Sequence, residues 1–171
     1  DPMCEGTPTC TDQSVILPAP GASLTVTGAL TVDDPQWARP DDDCNRQFTH
    51  RTNYYYDTIA IRNDSGQDQR VTFTLEDRND AYVHIYESPY DLTNRRGCVR
   101  GEDFRYFPDV AVGADQTIVA VVSTYEPAEL EERYELTMST QLSADAVCAG
   151  DLELIDREGV YQGVTEGPGA F

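Results

Sequence analysis

Residues 54–62 read Tyr54-Tyr55-Tyr56-Asp57-Thr58-Ile59-Ala60-Ile61-Arg62, residues 70–76 read Arg70-Val71-Thr72-Phe73-Thr74-Leu75-Glu76, and residues 80–86 read Asp80-Ala81-Tyr82-Val83-His84-Ile85-Tyr86. Val71, Phe73 and Leu75 fall on one face, with Arg70, Thr72, Thr74 and Glu76 on the other, which is the period-two pattern of a half-buried strand. The link Asn63-Asp64-Ser65-Gly66-Gln67-Asp68 is rich in residues that tolerate a left-handed backbone or bond their own main chain, and it predicts a hairpin between the first two strands. No catalytic motif interrupts the stretch. It describes a scaffold, so function is expected at edges, loops and termini.

Strand signals continue on both sides. Ser23 to Val32 is an extended Thr/Val/Leu run, and further strands are expected at 104–112, 117–124 and 133–140. Ile118 to Val122 is apolar on both faces and predicts a central strand, whereas Tyr134, Leu136 and Met138 alternate with Glu135, Thr137 and Ser139. Helix signals are nearly absent, apart from one turn expected over Glu126 to Glu132, where Pro127 suits a first-turn position. The fold class that follows is all-β, an antiparallel β-sandwich.

Composition narrows the function. The chain has 171 residues, 31 acidic against 12 basic, and a formal net charge of -19. Such a surface repels polyanions, so no nucleic-acid partner is expected. All 12 basic residues are arginines, which removes Schiff-base chemistry and a P-loop lysine. No apolar run approaches the roughly 20 residues of a membrane-spanning helix.

Five cysteines stand at 4, 10, 44, 98 and 148 without metal or haem spacing. They read as disulfides and imply an oxidising compartment. Together with a start at Asp1, this predicts an extracellular or surface protein released by signal-peptide cleavage. Cys44 is expected to pair with Cys98, joining the acidic loop to the segment after Tyr86, and Cys148 with Cys4 or Cys10.

Candidate sites are few. His84 lies between Tyr82 and Tyr86 without a nucleophile or carboxylate at motif spacing, and His50 lies in a polar loop, so both are expected to be structural or surface residues and no enzyme is expected. Asp33, Asp34, Asp41, Asp42 and Asp43 crowd one loop and are candidate calcium ligands, calcium favouring such oxygen donors; an acidic run is also commonly a solvated face. Asp77, Asn79, Asp80, Glu102 and Asp103 form a second acidic group. Tyr54, Tyr56, Tyr82 and Tyr86 are a candidate binding surface if their strands pair. Asn63-Asp64-Ser65 is a formal glycosylation sequon in an expected exposed turn.

The succession Thr27-Gly28-Ala29-Leu30-Thr31, Asp34-Pro35-Gln36-Trp37-Ala38-Arg39-Pro40, Tyr55-Tyr56-Asp57-Thr58, Asp80 to Tyr86, and Tyr134-Glu135-Leu136-Thr137-Met138 resembles the bacterial pre-peptidase C-terminal domains over residues 23–140. The resemblance implies an exported, jelly-roll-like sandwich of a kind that in some members binds collagen or polysaccharide, in certain cases with calcium. Gly101-Glu102-Asp103 only loosely matches the acidic turn that the family often carries. Residues 1–22 and 141–171 lie outside the resemblance as N- and C-terminal extensions. Because exposed sheet edges accept added strands, Val15, Ile16 and Leu17 in the first extension and Val160, Tyr161 and Val164 in the second are candidate assembly tails. The expected function is a structural subunit of an extracellular filament or surface assembly, a homo-oligomer or polymer. The alternative is an adhesion module for a glycan or an extracellular protein.

Overall fold

The computed structural model describes residues 13–41, 44, 53–77, 81–92, 95–102, 106–127 and 132–143. Ten strands run through these residues: β1 (Gln13–Ile16), β2 (Ser23–Leu30), β3 (Gln36–Trp37), β4 (Tyr54–Arg62), β5 (Gln69–Asp77), β6 (Tyr82–Asp91), β7 (Arg96–Glu102), β8 (Tyr106–Val112), β9 (Thr117–Ser123) and β10 (Glu132–Leu142). One sheet has the order β1-β4-β9-β6-β7, with β3 also paired to β4, and the other has the order β2-β10-β5-β8. Every pairing is antiparallel except that of β1 with β4. The sandwich expected from the alternation is the fold. No helix among the described residues is long and apolar enough to cross a membrane.

Alternation builds the core from both sides. Ile59 and Ile61 of β4, Val83 and Ile85 of β6, and Ile118, Ala120 and Val122 of β9 face Val71, Phe73 and Leu75 of β5 and Tyr134, Leu136 and Met138 of β10. Full burial of each aliphatic side chain contributes about 1.5–3 kcal/mol. The expected central position of β9 is found, between β4 and β6. A polar tie crosses the core where the Tyr134 hydroxyl donates to Asp57 Oδ2 at 2.9 Å. Burial first, then the neighbouring Asp57, holds that phenol above its ordinary pKa range. Gly28 packs directly under the Tyr134 ring, where a Cβ would collide with it.

Three expectations are corrected. The link at 63–68 is not a hairpin, because β4 and β5 lie in different sheets. Their apolar faces meet across the core, so the link is an arch that carries the chain from one layer to the other. Within it, Asn63 is fully buried rather than displayed for glycosylation. Its Nδ2 donates to the carbonyls of Gln67 (2.8 Å), Val112 (3.0 Å) and Gly113 (3.0 Å), and its Oδ1 accepts from Ser65 N (3.1 Å) and Oγ (2.7 Å). Asn63 is a clamp between the arch and the end of β8. Replacing it with alanine should lower the unfolding free energy by about 2 kcal/mol, since buried acceptors lose their donor; a change in urea midpoint equivalent to less than about 0.5 kcal/mol would contradict the clamp.

The third correction concerns the first tail. Gln13, Ser14, Val15 and Ile16 pair in parallel with Ile59, Ala60, Ile61 and Arg62 of the same chain. Leu17 is buried in the core. The sandwich therefore includes residues assigned above to the N-terminal extension, and this segment is not a strand held out for a neighbour. Val160, Tyr161 and Val164 lie outside the described residues, as do His50, Cys4, Cys10, Cys148 and most of the turn expected after Glu126.

Candidate functional site

The outer face of the first sheet is as apolar and aromatic as its inner face. Residues of β4, β9 and β6 that point away from the core place Tyr56 and Tyr82 on either side of Ser123, His84 beside Val121, and Tyr86 beside Val119. The four tyrosines picked from the sequence, Tyr54, Tyr56, Tyr82 and Tyr86, do share this face. All four are buried, so they do not form the open binding surface that was expected. Trp37 and Arg39, in the segment that begins at β3, lie over them, with Tyr90 beside Tyr86.

That segment is a strap. Gln36 and Trp37 pair with Tyr55 and Tyr54 at the start of β4. The Trp37 ring then lies 5.4 Å from Tyr56, 5.5 Å from His84 edge-on, and 6.4 Å from Tyr86. Two residues on, the Arg39 guanidinium carbon sits 4.2 Å from the Tyr54 ring centre and 4.0 Å from that of Tyr82, and Nη1 donates to the Thr124 carbonyl at 2.8 Å. A cation held against ring faces away from water gains about 2 kcal/mol per good contact. At the far end Cys44 is bonded to Cys98 on β7, the disulfide expected from the sequence. One end of the strap is held by the sheet and the other by a covalent bond.

His84 is the titratable group at the centre. Its ring stacks on Tyr82 at 4.9 Å, and Nε2 lies 3.4 Å from the Asp41 carbonyl. Gly101 on β7 leaves room for the imidazole, which a Cβ there would strike. Burial, followed by the charge of Arg39, lowers its pKa to about 3, so the ring is neutral at ordinary pH. Nδ1 has no hydrogen-bond partner among the described residues. The imidazole is held instead by the Tyr82 and Trp37 rings and the Asp41 carbonyl. Burial likewise holds the Tyr86 phenol above its ordinary range.

The acidic loop is divided by the fold. Asp34 Oδ2 accepts from Thr31 N (2.6 Å) and Thr31 Oγ1 (3.1 Å), closing a turn after β2, while Asp33 is exposed and bonds Thr31 Oγ1 through its amide. Asp41 belongs to the strap, and Asp42 and Asp43 lie outside the described residues. Of the second acidic group, Asn79, Asp80 and Asp103 are likewise outside them. Among the described residues no three histidine, cysteine, aspartate or glutamate side chains gather as a metal site.

Sequence reasoning passed over the outer face of the second sheet. Ser23, Thr25 and Thr27 of β2, Thr137 and Ser139 of β10, and Thr72 and Thr74 of β5 lie side by side in register. The hydroxyls of Ser23 and Ser139 are 2.8 Å apart, as are those of Thr25 and Thr137. Neighbouring strands lie about 4.8 Å apart and alternate residues about 6.8 Å apart, so two rows, Ser23-Ser139-Thr72 and Thr25-Thr137-Thr74, form a regular grid of hydroxyls, with Glu135 and Glu76 in the row of Thr27. The T-x-T spacing at Thr25 and Thr72 was the available signal.

No protein-family model matches the chain, and no curated protein matches it. Among solved structures it is similar to PliG of Aeromonas hydrophila, a periplasmic inhibitor of g-type lysozyme, with a TM-score of 0.44 and 15% identity over 77% of this chain and 100% of that one. It is also similar to the pre-peptidase C-terminal domain of a Bacillus anthracis collagenase, with a TM-score of 0.41 and 12% identity over 80% of this chain and 100% of that one.

Proposed function

We propose that the protein is an exported, non-catalytic module that works by surface recognition, presenting the hydroxyl grid of its second sheet to a polysaccharide or an extracellular protein. The observation that carries this reading is the division of labour between the sheets. The first is covered on both faces, and its aromatic and imidazole side chains are consumed in packing. The second turns an array of Ser and Thr hydroxyls outward that is uncovered among the described residues, each both donor and acceptor, which suits a polyhydroxylated or peptide surface. The Cys44–Cys98 disulfide supports export, since such bonds persist in oxidising compartments.

Retention of the full chain on insoluble chitin, cellulose and fibrous collagen tests this. Retention is expected on at least one of them, weakened at least about tenfold by Thr72→Asp with Thr137→Asp, which adds charge to the grid and leaves the core untouched. No retention of the native chain, or retention indifferent to the double substitution, would remove the reading. A second reading, a self-associating extracellular subunit, draws on a different observation, the edge of β2, which is open among the described residues.

A further inference from the structure

Every sheet edge offers unpaired backbone groups, and natural sheets blunt their edges with charge, proline, bulges or brevity. Most edges here are blunted. β7 carries Arg96, Arg100 and Glu102. β8 carries Pro108, and its register with β5 shifts between Val71 and Phe73, beside Asp109 at a φ of 74°. The free side of β4 is taken by β3 and by the four residues of β1.

β2 differs. Its eight residues, Ser23-Leu24-Thr25-Val26-Thr27-Gly28-Ala29-Leu30, hold no charge and no proline. In an antiparallel strand, successive residues aim their N–H and C=O to opposite sides. Ala22, just before β2, bonds Thr140 after the same pattern, so Leu24, Val26, Gly28 and Leu30 face β10. Ser23, Thr25, Thr27 and Ala29 then point their backbone groups outward, with exposed side chains. Among the described residues, the contact to these outward groups is Gln13 Nε2 donating to the Thr27 carbonyl at 3.4 Å, a long bond.

We propose that this edge pairs with the same edge of a second copy, β2 antiparallel to β2 about a two-fold axis, joining two four-stranded sheets into one continuous sheet. A register centred on Val26 sets Ser23 against Ala29 of the partner subunit and Thr25 against Thr27 of the partner subunit. It uses all four outward residues of each strand, two hydrogen bonds to a pair. Charge favours a second copy at this edge over the others. Two chains of net charge -19 repel, and β2 lets them meet along a strip without charge. The remaining apolar exposure agrees. Ile16 and Val32, each 60% exposed, lie on this side of the sandwich, one at the end of β1 and one just past β2, and antiparallel pairing brings the Val32 end of one copy toward the Ile16 end of the other. Such an isologous contact closes on itself, so it yields a dimer and not a fibre. It holds whether or not the hydroxyl grid binds a ligand.

The test is sedimentation velocity of the full chain, with free thiols alkylated, over about 1 to 200 µM at low and high salt. A reversible dimer is expected, tightened by salt because like charges are screened. The amides of Thr25, Thr27 and Ala29 should exchange at least about tenfold more slowly at the high concentration than at the low. Thr25→Pro removes an edge amide without touching the pairing to β10, and Thr25→Asp keeps the backbone but adds like charge; each should weaken the dimer at least about tenfold. Val99→Asp on the β7 edge should leave it unchanged. If Thr25→Pro does not fold, Thr25→Asp decides. A monomer throughout the range, a dimer indifferent to Thr25→Asp, or edge amides already protected in the dilute monomer would overturn the proposal.

Discussion

Acidification from about pH 6.5 to pH 3 should cost the native state roughly 4 kcal/mol through His84 alone. In the folded protein the ring resists protonation down to about pH 3 because it is dry and stands beside Arg39. The unfolded chain takes up the same proton near the ordinary value of 6.5. Between those values the unfolded state binds more protons, so stability is complete above about pH 6.5 and falls as the pH drops, by up to about 1.4 kcal/mol per pH unit. Of the groups around the ring, Arg39 deepens the shift, while the Asp41 and Pro40 backbone acceptors work against it. Arg39 is already a cation in the same enclosure, Tyr82 and Trp37 offer ring contacts, and the Asp41 carbonyl offers one acceptor. Urea midpoints from pH 7 to pH 3.5 should fall steeply for the native chain and less steeply for His84→Gln. Parallel slopes for the two proteins would refute this assignment, and the comparison subtracts whatever the carboxylates contribute.

Loss of the Cys44–Cys98 disulfide should be nearly as damaging. The bridge closes a loop with a sequence separation of 54, and restricting a loop of that length in the unfolded chain is worth about 4 kcal/mol on the chain-entropy account. Cys44→Ser with Cys98→Ser should therefore fold with a much reduced urea midpoint. Trp37 and Arg39 still anchor the strap in the native state, so the folded signal should persist. The single tryptophan of the chain lies in the strap, and its fluorescence reports strap and core together. A stability change below about 1 kcal/mol would mean that the bridge does not constrain the unfolded chain as this account requires.

Much of the sandwich was legible because alternation is a local signal with a global meaning. The expected strand 54–62 coincides with β4, and β9 and β10 were read with their faces correct. β1, β3 and β7 were missed for reasons of chemistry. Four residues, two residues, and an Arg- and Gly-rich Arg96-Gly97-Cys98-Val99-Arg100-Gly101-Glu102 carry no usable apolar period. The arch at 63–68 was mistaken for a hairpin since both need turn-forming residues; which one forms depends on where two apolar faces pack, and a short link does not record that. The tyrosines show the same limit. Period two placed Tyr54, Tyr56, Tyr82 and Tyr86 on one face but could not say whether anything covers it. The clue lay elsewhere, in a Trp and an Arg set between prolines in a polar loop, Pro35-Gln36-Trp37-Ala38-Arg39-Pro40. Asn63 looked displayed because sequons and buried Asx clamps use the same residues.

The strand order also bears on how the chain reaches this state. β9 lies between β4 and β6, and β10 lies between β2 and β5, so the middle strand of each layer comes late in the chain. Until about residue 123 has emerged, β4 and β6 have no central partner, and until about residue 142 β2 and β5 lack theirs, so their apolar faces wait for strands that come later. Closure of each layer thereby waits for a strand later in the chain than those it joins and proceeds through contacts distant in sequence, which makes it slow. For a polypeptide threaded through a membrane before it folds, the delay is useful: the strands that lock the two layers, β9 and β10, enter the channel after the strands they join.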